Sequence, residues 1–393
     1  MPESNNPPPP PTPAGHRDRS GFSATAALKI AVVALVAAAI VAYQLDSFDP
    51  AAIPGDELTR GVAAVGECNG GMLRGAEYLG LGKLSAAEDM AYDSGAGLVY
   101  TGDADGWVKR VRLNDSSVEN WAFTGGRPLG IALGPGGDIF VADAYKGVLK
   151  VSAEGVVEAL TTEADGVKFG LTDGIDVAED GAVYFTDASS KYGFHNFIYD
   201  LLEGRPLGRL MRYDPNTELT EILAAHLYFA NGVALDPTRQ FLVFCETPLR
   251  RCRKYYIAGD RKGSVEKFIE NLPGTPDNIR YDGEGHYWIG LSTEMTDSWY
   301  LALRFPAIRK VLAMMEKKGR RPKMEKNGGV VAVNLEGKAV AWYYDYKLSL
   351  VTTGMKIGNH LYCGSLAFPG ILRLDLDQYP ARSAACPRSN SDL

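Results

Sequence analysis

The chain has 393 residues, 46% of them hydrophobic and 23% charged, which is enough apolar material for a large core and excludes both a disulfide mini-protein and a chain disordered throughout. Its 41 Lys and Arg against 48 Asp and Glu give a formal charge of -7, with no long basic stripe interleaved with aromatics, so no nucleic-acid partner is expected and a small-molecule substrate is. The 44 glycines and 20 tyrosines favour strands joined by many tight turns.

Taken in chain order, residues 1–23 hold Pro2, the run Pro7–Pro11 and Pro13 among Ser and Asn, a composition expected to form a disordered cytosolic tail. Residues 24–45 follow with Lys29 as the only charge, about 33 Å of helix at ~1.5 Å per residue, long enough to span a bilayer if Lys29 extends its ammonium to the headgroups. A cleaved signal peptide and a buried core helix are the competing readings. No clear small-residue cleavage site follows the run. Arg17, Arg19 and Lys29 precede its uncharged part while Asp46 and Asp49 follow, which predicts a single-pass type II signal anchor in a secretory-pathway membrane, endoplasmic reticulum or vacuole, with the bulk of the chain lumenal.

The remainder divides into a domain over 46–380 and a short flexible tail over 381–393. One pattern recurs through the domain: an apolar stretch, an Asp- or Gly-rich turn, then a β run ending in a small or acidic residue. Six copies start near residues 88, 129, 173, 231, 277 and 353. Each holds a hairpin, and further β runs such as GWVKRVRL and GRLMRYD follow most copies, giving about four strands per unit. The prediction is an all-β, six-bladed β-propeller. Two intervals are long and carry helix-like insertions, NFIYDLLEG near 196–204 and a stretch over 298–326 that is apolar on one face and basic near its end. The second is expected to cap the channel, touch an anionic membrane or pack on the propeller.

Five cysteines form no C-x-x-C, so neither a disulfide framework nor a zinc cluster is expected, and Cys245 with Cys252 is the best candidate pair, two free thiols being the alternative. Asn114-Asp115-Ser116 is a glycosylation sequon, meaningful in a lumen.

In a propeller the residues that open each innermost strand converge on one mouth of the central channel. Glu88, Asp173, Asn231 and Asp277 are four oxygen donors at that repeat-equivalent position. Crowded carboxylates repel unless a hard divalent cation joins them, and with thiolate and imidazole nearly absent Ca2+ is the expected ion; ordinary turn hydrogen bonding is the competing reading. The five histidines form no metal pair, no G-x-S-x-G elbow supports a serine hydrolase, and no glycine-rich phosphate loop occurs.

The segments GGRPLGIALGPGGDIFVADAYKGVLKV, DGAVYFTDASSKY, GRLMRYDPNT, YFANGVAL and LPGTPDNIRYDGEGHYWIGLS closely resemble the strictosidine synthase-like family, over about residues 46 to 376. The resemblance implies a six-bladed propeller distantly akin to paraoxonases and gluconolactonases, calcium-dependent hydrolases of esters and lactones. It also implies metal-binding roles for Glu88, Asn231, Asp277 and Asn278. Thr172 stands where those hydrolases usually place an asparagine, leaving that role to Asp173, and Leu129 stands where paraoxonases place a histidine proposed as base. Strictosidine synthase itself condenses an amine with an aldehyde through a glutamate that Glu294 matches to within one residue. The expected function is therefore a Ca2+-dependent ester or lactone hydrolase at the channel, with Asp173 or Glu294 as the catalytic carboxylate. Amine-aldehyde condensation through Glu294 and a noncatalytic binding propeller are the alternatives.

Overall fold

The computed structural model describes residues 24–383 and 386, so the proline-rich stretch 1–23 and most of the stretch read as a C-terminal tail lie outside the described residues. Residues before Phe48 form one unit and the chain from Phe48 onward a second. In the first, Ala24–Leu45 is a single helix, α1. Its segment Thr25–Leu45 is long and apolar enough to cross a membrane.

The second unit is a six-bladed β-propeller. Blades one to four are four-stranded antiparallel sheets in simple sequence order, opening with Met90–Asp93, Pro128–Leu133, Thr172–Val177 and Ala230–Leu235. Blade five opens with Gly274–Tyr281 and gains Glu67–Asn69 as a parallel fifth strand on its outer edge. Blade six takes its three inner strands from the end of the chain, Val351–Ile357, His360–Ser365 and Ile371–Asp375, and its outer strand Ala76–Leu79 from the beginning. The early segment thus closes the ring, which leaves no unpaired sheet at the seam.

The recurring acid that ends a second strand has a structural task. Asp103, Asp143, Asp187 and Glu246 accept backbone N–H groups from Ser85, Arg127, Leu171 and Tyr228 at 2.8, 3.0, 2.8 and 2.9 Å, fixing the loop that leads into each blade's first strand. Glycines set how closely the blades approach. A Cβ on Gly174 would lie 2.7 Å from the Asn231 carbonyl oxygen, and one on Gly232 would lie 2.5 Å from that of Asp277. Gly232→Ala is accordingly expected to lower the unfolding free energy by about 3 kcal/mol, read by chemical denaturation, because the blade seam is backbone and has no side chain to yield.

Two disulfides are formed, Cys68–Cys386 and Cys245–Cys252, with Cys363 buried and free. The second joins residues directly opposite on neighbouring strands of blade four. The first corrects the reading that no disulfide framework exists. Cys386, with Ala381 buried and Arg382 bridged to Cys68, also fastens to the domain a stretch read as a free tail.

Both helical insertions join the second to the third strand of their blade, at the end of the ring where the first strands begin. Blade three carries α2, Phe197–Glu203, and blade five carries α3, Asp297–Arg304, and α4, Pro306–Glu316. Ile198, Leu202, Trp299, Ala302, Leu312 and Ala313 bury against one another, so the three helices form one cap. Fully buried Arg309 of α4 donates to the Leu202 and Glu203 carbonyls at 3.2 and 3.0 Å, and to Ala51, setting a cation on the C-terminal end of α2.

Candidate functional site

The first strands bring Glu88, Thr172, Asp173, Asn231, Asp277, Asn278 and Thr353 to one end of the channel, and all seven are buried. Their backbones are committed to the ring. Thr352 and Thr186 hydroxyls donate to the Glu88 and Asn231 carbonyls at 2.6 and 2.7 Å, so the side chains alone face inward.

The polar bookkeeping among those side chains is uneven in an informative way. Asn278 Nδ2 donates to Glu88 Oε1 at 2.6 Å, and the Asn231 amide hydrogen-bonds the Asp277 carboxylate, which also accepts from Ser292 Oγ at 2.6 Å. Both amides thereby spend their N–H groups on acids and leave the oxygen over. Glu88 Oε2, Thr172 Oγ1, Asn231 Oδ1, Asn278 Oδ1 and Thr353 Oγ1 are buried without a partner. A buried oxygen without a donor costs about 1–3 kcal/mol, and native proteins seldom tolerate several together. Five such oxygens from blades one, three, four, five and six constitute a hard, cation-seeking set. Among the described residues no three His, Cys, Asp or Glu side chains by themselves could hold an ion, so the fit rests on the mixture of carboxylate, amide and hydroxyl oxygens.

Electrostatics point the same way. Burial, then the nearby Asp277 and Asp173 charges, hold the Glu88 carboxyl well above the ordinary carboxylate range, with Arg127 opposing. Burial and the charges of Asp277 and Asp89 do the same to Asp173. Asp277 is pushed up to about 7 by burial, against the bonds from Ser292 and Asn231 that pull it down. Arg127 does not offset the burial and mutual crowding of these acids, and protons or a further cation would balance them.

One level deeper the channel is tied shut. Arg280, two residues beyond Asn278 on the blade-five strand, donates Nε to Asp89 Oδ1 at 3.2 Å, Nη1 to the Ile175 carbonyl at 3.0 Å and Nη2 to the Ile131 carbonyl at 2.8 Å, and its Nη2 also meets Asp89 Oδ2. One guanidinium therefore joins blades one, two, three and five, and holds the Asp89 carboxylate below the mouth, where its charge still acts on Glu88, Asp173 and Asp277.

Above the oxygens lies a cavity whose walls are apolar: Leu129, Leu171 and Phe229 from the blades, Phe194, Phe197, Ile198 and Leu201 from the blade-three insertion, and Met295, Trp299 and Leu303 from blade five. Glu88, Asp173, Asn231 and Asp277 line it together. Leu129 is one of its walls and contributes no polar atom. Glu294 is not brought there. Its carboxylate accepts from Asn327 and its backbone N–H donates to the Lys326 carbonyl at 2.8 Å, while its neighbours Thr293 and Met295 line the cavity. The loop returning from the cap captures Glu294 and presents Glu325 to the cavity instead, with Arg321 Nη1 3.0 Å from its Oε1. Sequence reasoning missed the Thr172 and Thr353 hydroxyls, Glu325 and the Arg280 tie. The threonines alone stood at the repeat-equivalent positions and could have been found there.

Comparison with known proteins gives four findings. A family model described as Strictosidine synthase matches residues 173–260. Protein STRICTOSIDINE SYNTHASE-LIKE 6 of Arabidopsis thaliana is 54% identical over 350 residues, 88% of this chain and 94% of that protein. Among solved structures, a gluconolactonase from Xanthomonas campestris matches with a TM-score of 0.57 at 16% identity, over 81% of this chain and 98% of that one. Regucalcin from Agrobacterium tumefaciens, described as a calcium-binding protein, matches with a TM-score of 0.51 at 15% identity, over 74% of this chain and 90% of that one. Identities this low attest the shared fold.

Proposed function

The chain belongs to the strictosidine synthase-like family, and from that premise we propose that its channel mouth binds Ca2+ and hydrolyses esters or lactones of small, largely apolar molecules. The observation that carries the reading is the set of five partnerless oxygens from five blades at the foot of an apolar cavity. Glu88, Asn231, Asp277 and Asn278 would hold the ion, with Thr172 and Thr353 supplying hydroxyl oxygens and Asp173 beside them. When bound, Ca2+ would supply Lewis-acid polarisation of a carbonyl or of water. The chain's own residues do the rest: Leu129, Phe197, Phe229 and Trp299 seat the apolar part of the substrate and exclude water, and Asp173, whose carboxyl burial holds well up, exchanges a proton at its carboxylate. The gluconolactonase and calcium-binding names of the structural neighbours are in keeping with this reading.

The same proposal gives the setting. α1 anchors the chain in a secretory-pathway membrane with the propeller lumenal, in agreement with the charge asymmetry around it and with two disulfides, which persist in oxidising compartments. Asn114, exposed in the turn between the third and fourth strands of blade one, would carry glycan there.

Ion and protons compete for the same oxygens, and the sign of that competition is testable. Asp277 has its carboxyl raised from 3.8 to about 7 in the folded chain, so between those values the folded state binds more protons than the unfolded one. Stability of the ion-free protein therefore falls as pH rises through that window, and Ca2+ restores it. The rise in melting temperature on adding Ca2+ is expected to be larger at pH 8 than at pH 5, and aryl-ester hydrolysis by the calcium-loaded protein to disappear with chelator and in Asn231→Ala. Hydrolysis that persists in chelator removes the ion from the reading. A calcium-dependent melting shift with no turnover of any ester or lactone makes the propeller a binding module.

A further inference from the structure

The outer face of the cap has no use in that site. Leu301 on α3, Phe305 at the extended junction, and Ile308 and Val311 one turn apart on α4 are 39%, 49%, 38% and 46% exposed, while Ala302, Leu303, Leu312 and Ala313 are buried. Four large apolar side chains in one exposed stripe are more than scattered surface hydrophobics require. Beside the stripe, exposed Lys318, Arg320 and Lys323 follow the end of α4. The nearby acids Glu316 and Glu325 are both engaged by Arg321, so this margin presents positive charge.

We propose that this face is a lipid-docking surface whose occupant is an anionic phospholipid bilayer. Two observations select a bilayer over a second copy or another protein. The first is charge: apolar residues flanked by lysine and arginine are the pattern that buries shallowly at headgroup depth, the cations meeting lipid phosphates. The second is chain connectivity. Only Asp46 and Ser47 separate the last residue of the apolar helix from Phe48, so at ~3.8 Å between consecutive Cα atoms Phe48 lies within about 11 Å of the point where that helix ends. Phe48 is no free linker. It packs on the cap cluster, 5.9 Å from the Tyr199 ring, with Lys317 Nζ 5.9 Å from its own ring centroid. The following residues are strapped down as well: Ala51 N–H donates to Glu203 at 2.8 Å, and Ile53 is buried with Leu249 and Leu303. An anchored chain thus has the cap as the part of the propeller tethered shortest to lipid. Docking of its stripe would lay the helix that walls the apolar cavity with Trp299 and Leu303 against the acyl layer, whichever reaction takes place inside.

The test uses the full chain reconstituted into phosphatidylcholine vesicles, with or without phosphatidylserine, that contain a phospholipid bearing a photoactivatable acyl chain. After irradiation, labelled peptides are mapped by mass spectrometry. Label is expected in the 25–45 peptides under both conditions and in the 301–311 peptides with phosphatidylserine. The cap label should fall by about tenfold in the combined variant Leu301→Ser, Phe305→Ser, Ile308→Ser, Val311→Ser, with the span label unchanged. Reversing the charges of Lys318, Arg320 and Lys323 to Glu should weaken cap labelling mainly in the phosphatidylserine vesicles. Label confined to the 25–45 peptides overturns the proposal. Cap peptides cross-linked to a second copy in proportion to protein density overturn it in favour of self-association.

Discussion

Glu88→Gln is expected to lower calcium-dependent ester hydrolysis by at least about 100-fold while making the ion-free protein more stable at pH 8. The two effects have opposite signs for one reason. Glu88 is buried beside Asp277 and Asp173; desolvation pushes all three carboxyls up, and the Asp277 and Asp173 charges push Glu88 up further. Gln retains an oxygen to accept the Asn278 amide but removes a charge from the crowd, so the remaining acids ionise more easily and the folded state gains at high pH. The ion loses a formal charge from its donor set, and the melting shift on adding Ca2+ should shrink accordingly. A variant inactive through misfolding would lose stability at every pH, so melting curves with and without Ca2+ separate the explanations. Unaltered hydrolysis together with an unaltered calcium shift would sink the assignment of Glu88.

Arg280→Met is expected to cost about 3–5 kcal/mol in unfolding free energy, the larger structural effect of the two. Methionine fills much of the stem's volume but offers no donor. Asp89, whose side chain has no exposure, would keep only the Ile131 N–H at 3.1 Å, and the Ile131 and Ile175 carbonyls would lose the guanidinium. Leaving a buried carboxylate without its cation is more costly than losing the pair, so the double variant Arg280→Met, Asp89→Leu should recover part of the loss. Denaturation midpoints of Arg280→Met, Asp89→Leu and the double variant give the coupling directly. If Arg280→Met unfolds with the parent, the guanidinium does not hold the four blades together.

The oxygen donors were legible because propeller repeats translate sequence position into spatial position. Glu88, Asp173, Asn231 and Asp277 occupy one place in four copies, and the ring brings equivalent places to one point. The hydroxyls were not legible for the complementary reason: Thr172 looked like the loss of an asparagine, and only its burial without a donor identifies it as an oxygen still on offer. Glu294 failed for a local reason. It lies just where a β strand gives way to the insertion between Glu294 and Gly329, and the path of the returning loop decides which glutamate faces the cavity. The cap reading of that insertion agrees with the packed helices over the channel mouth.

By itself the sequence determined the six-fold repeat, the apolar N-terminal helix, the family and the residues at the mouth, because each follows from periodicity, composition or a motif carried on a contiguous stretch. Tertiary structure alone decided that the early strand Ala76–Leu79 closes the sixth blade, that Cys68 pairs with Cys386, that Arg280 bridges four blades, and which buried oxygens lack donors. Those are pairings between residues separated by tens to hundreds of positions with no shared local pattern. They exist only once ring closure has fixed distances that the chain's own connectivity leaves free.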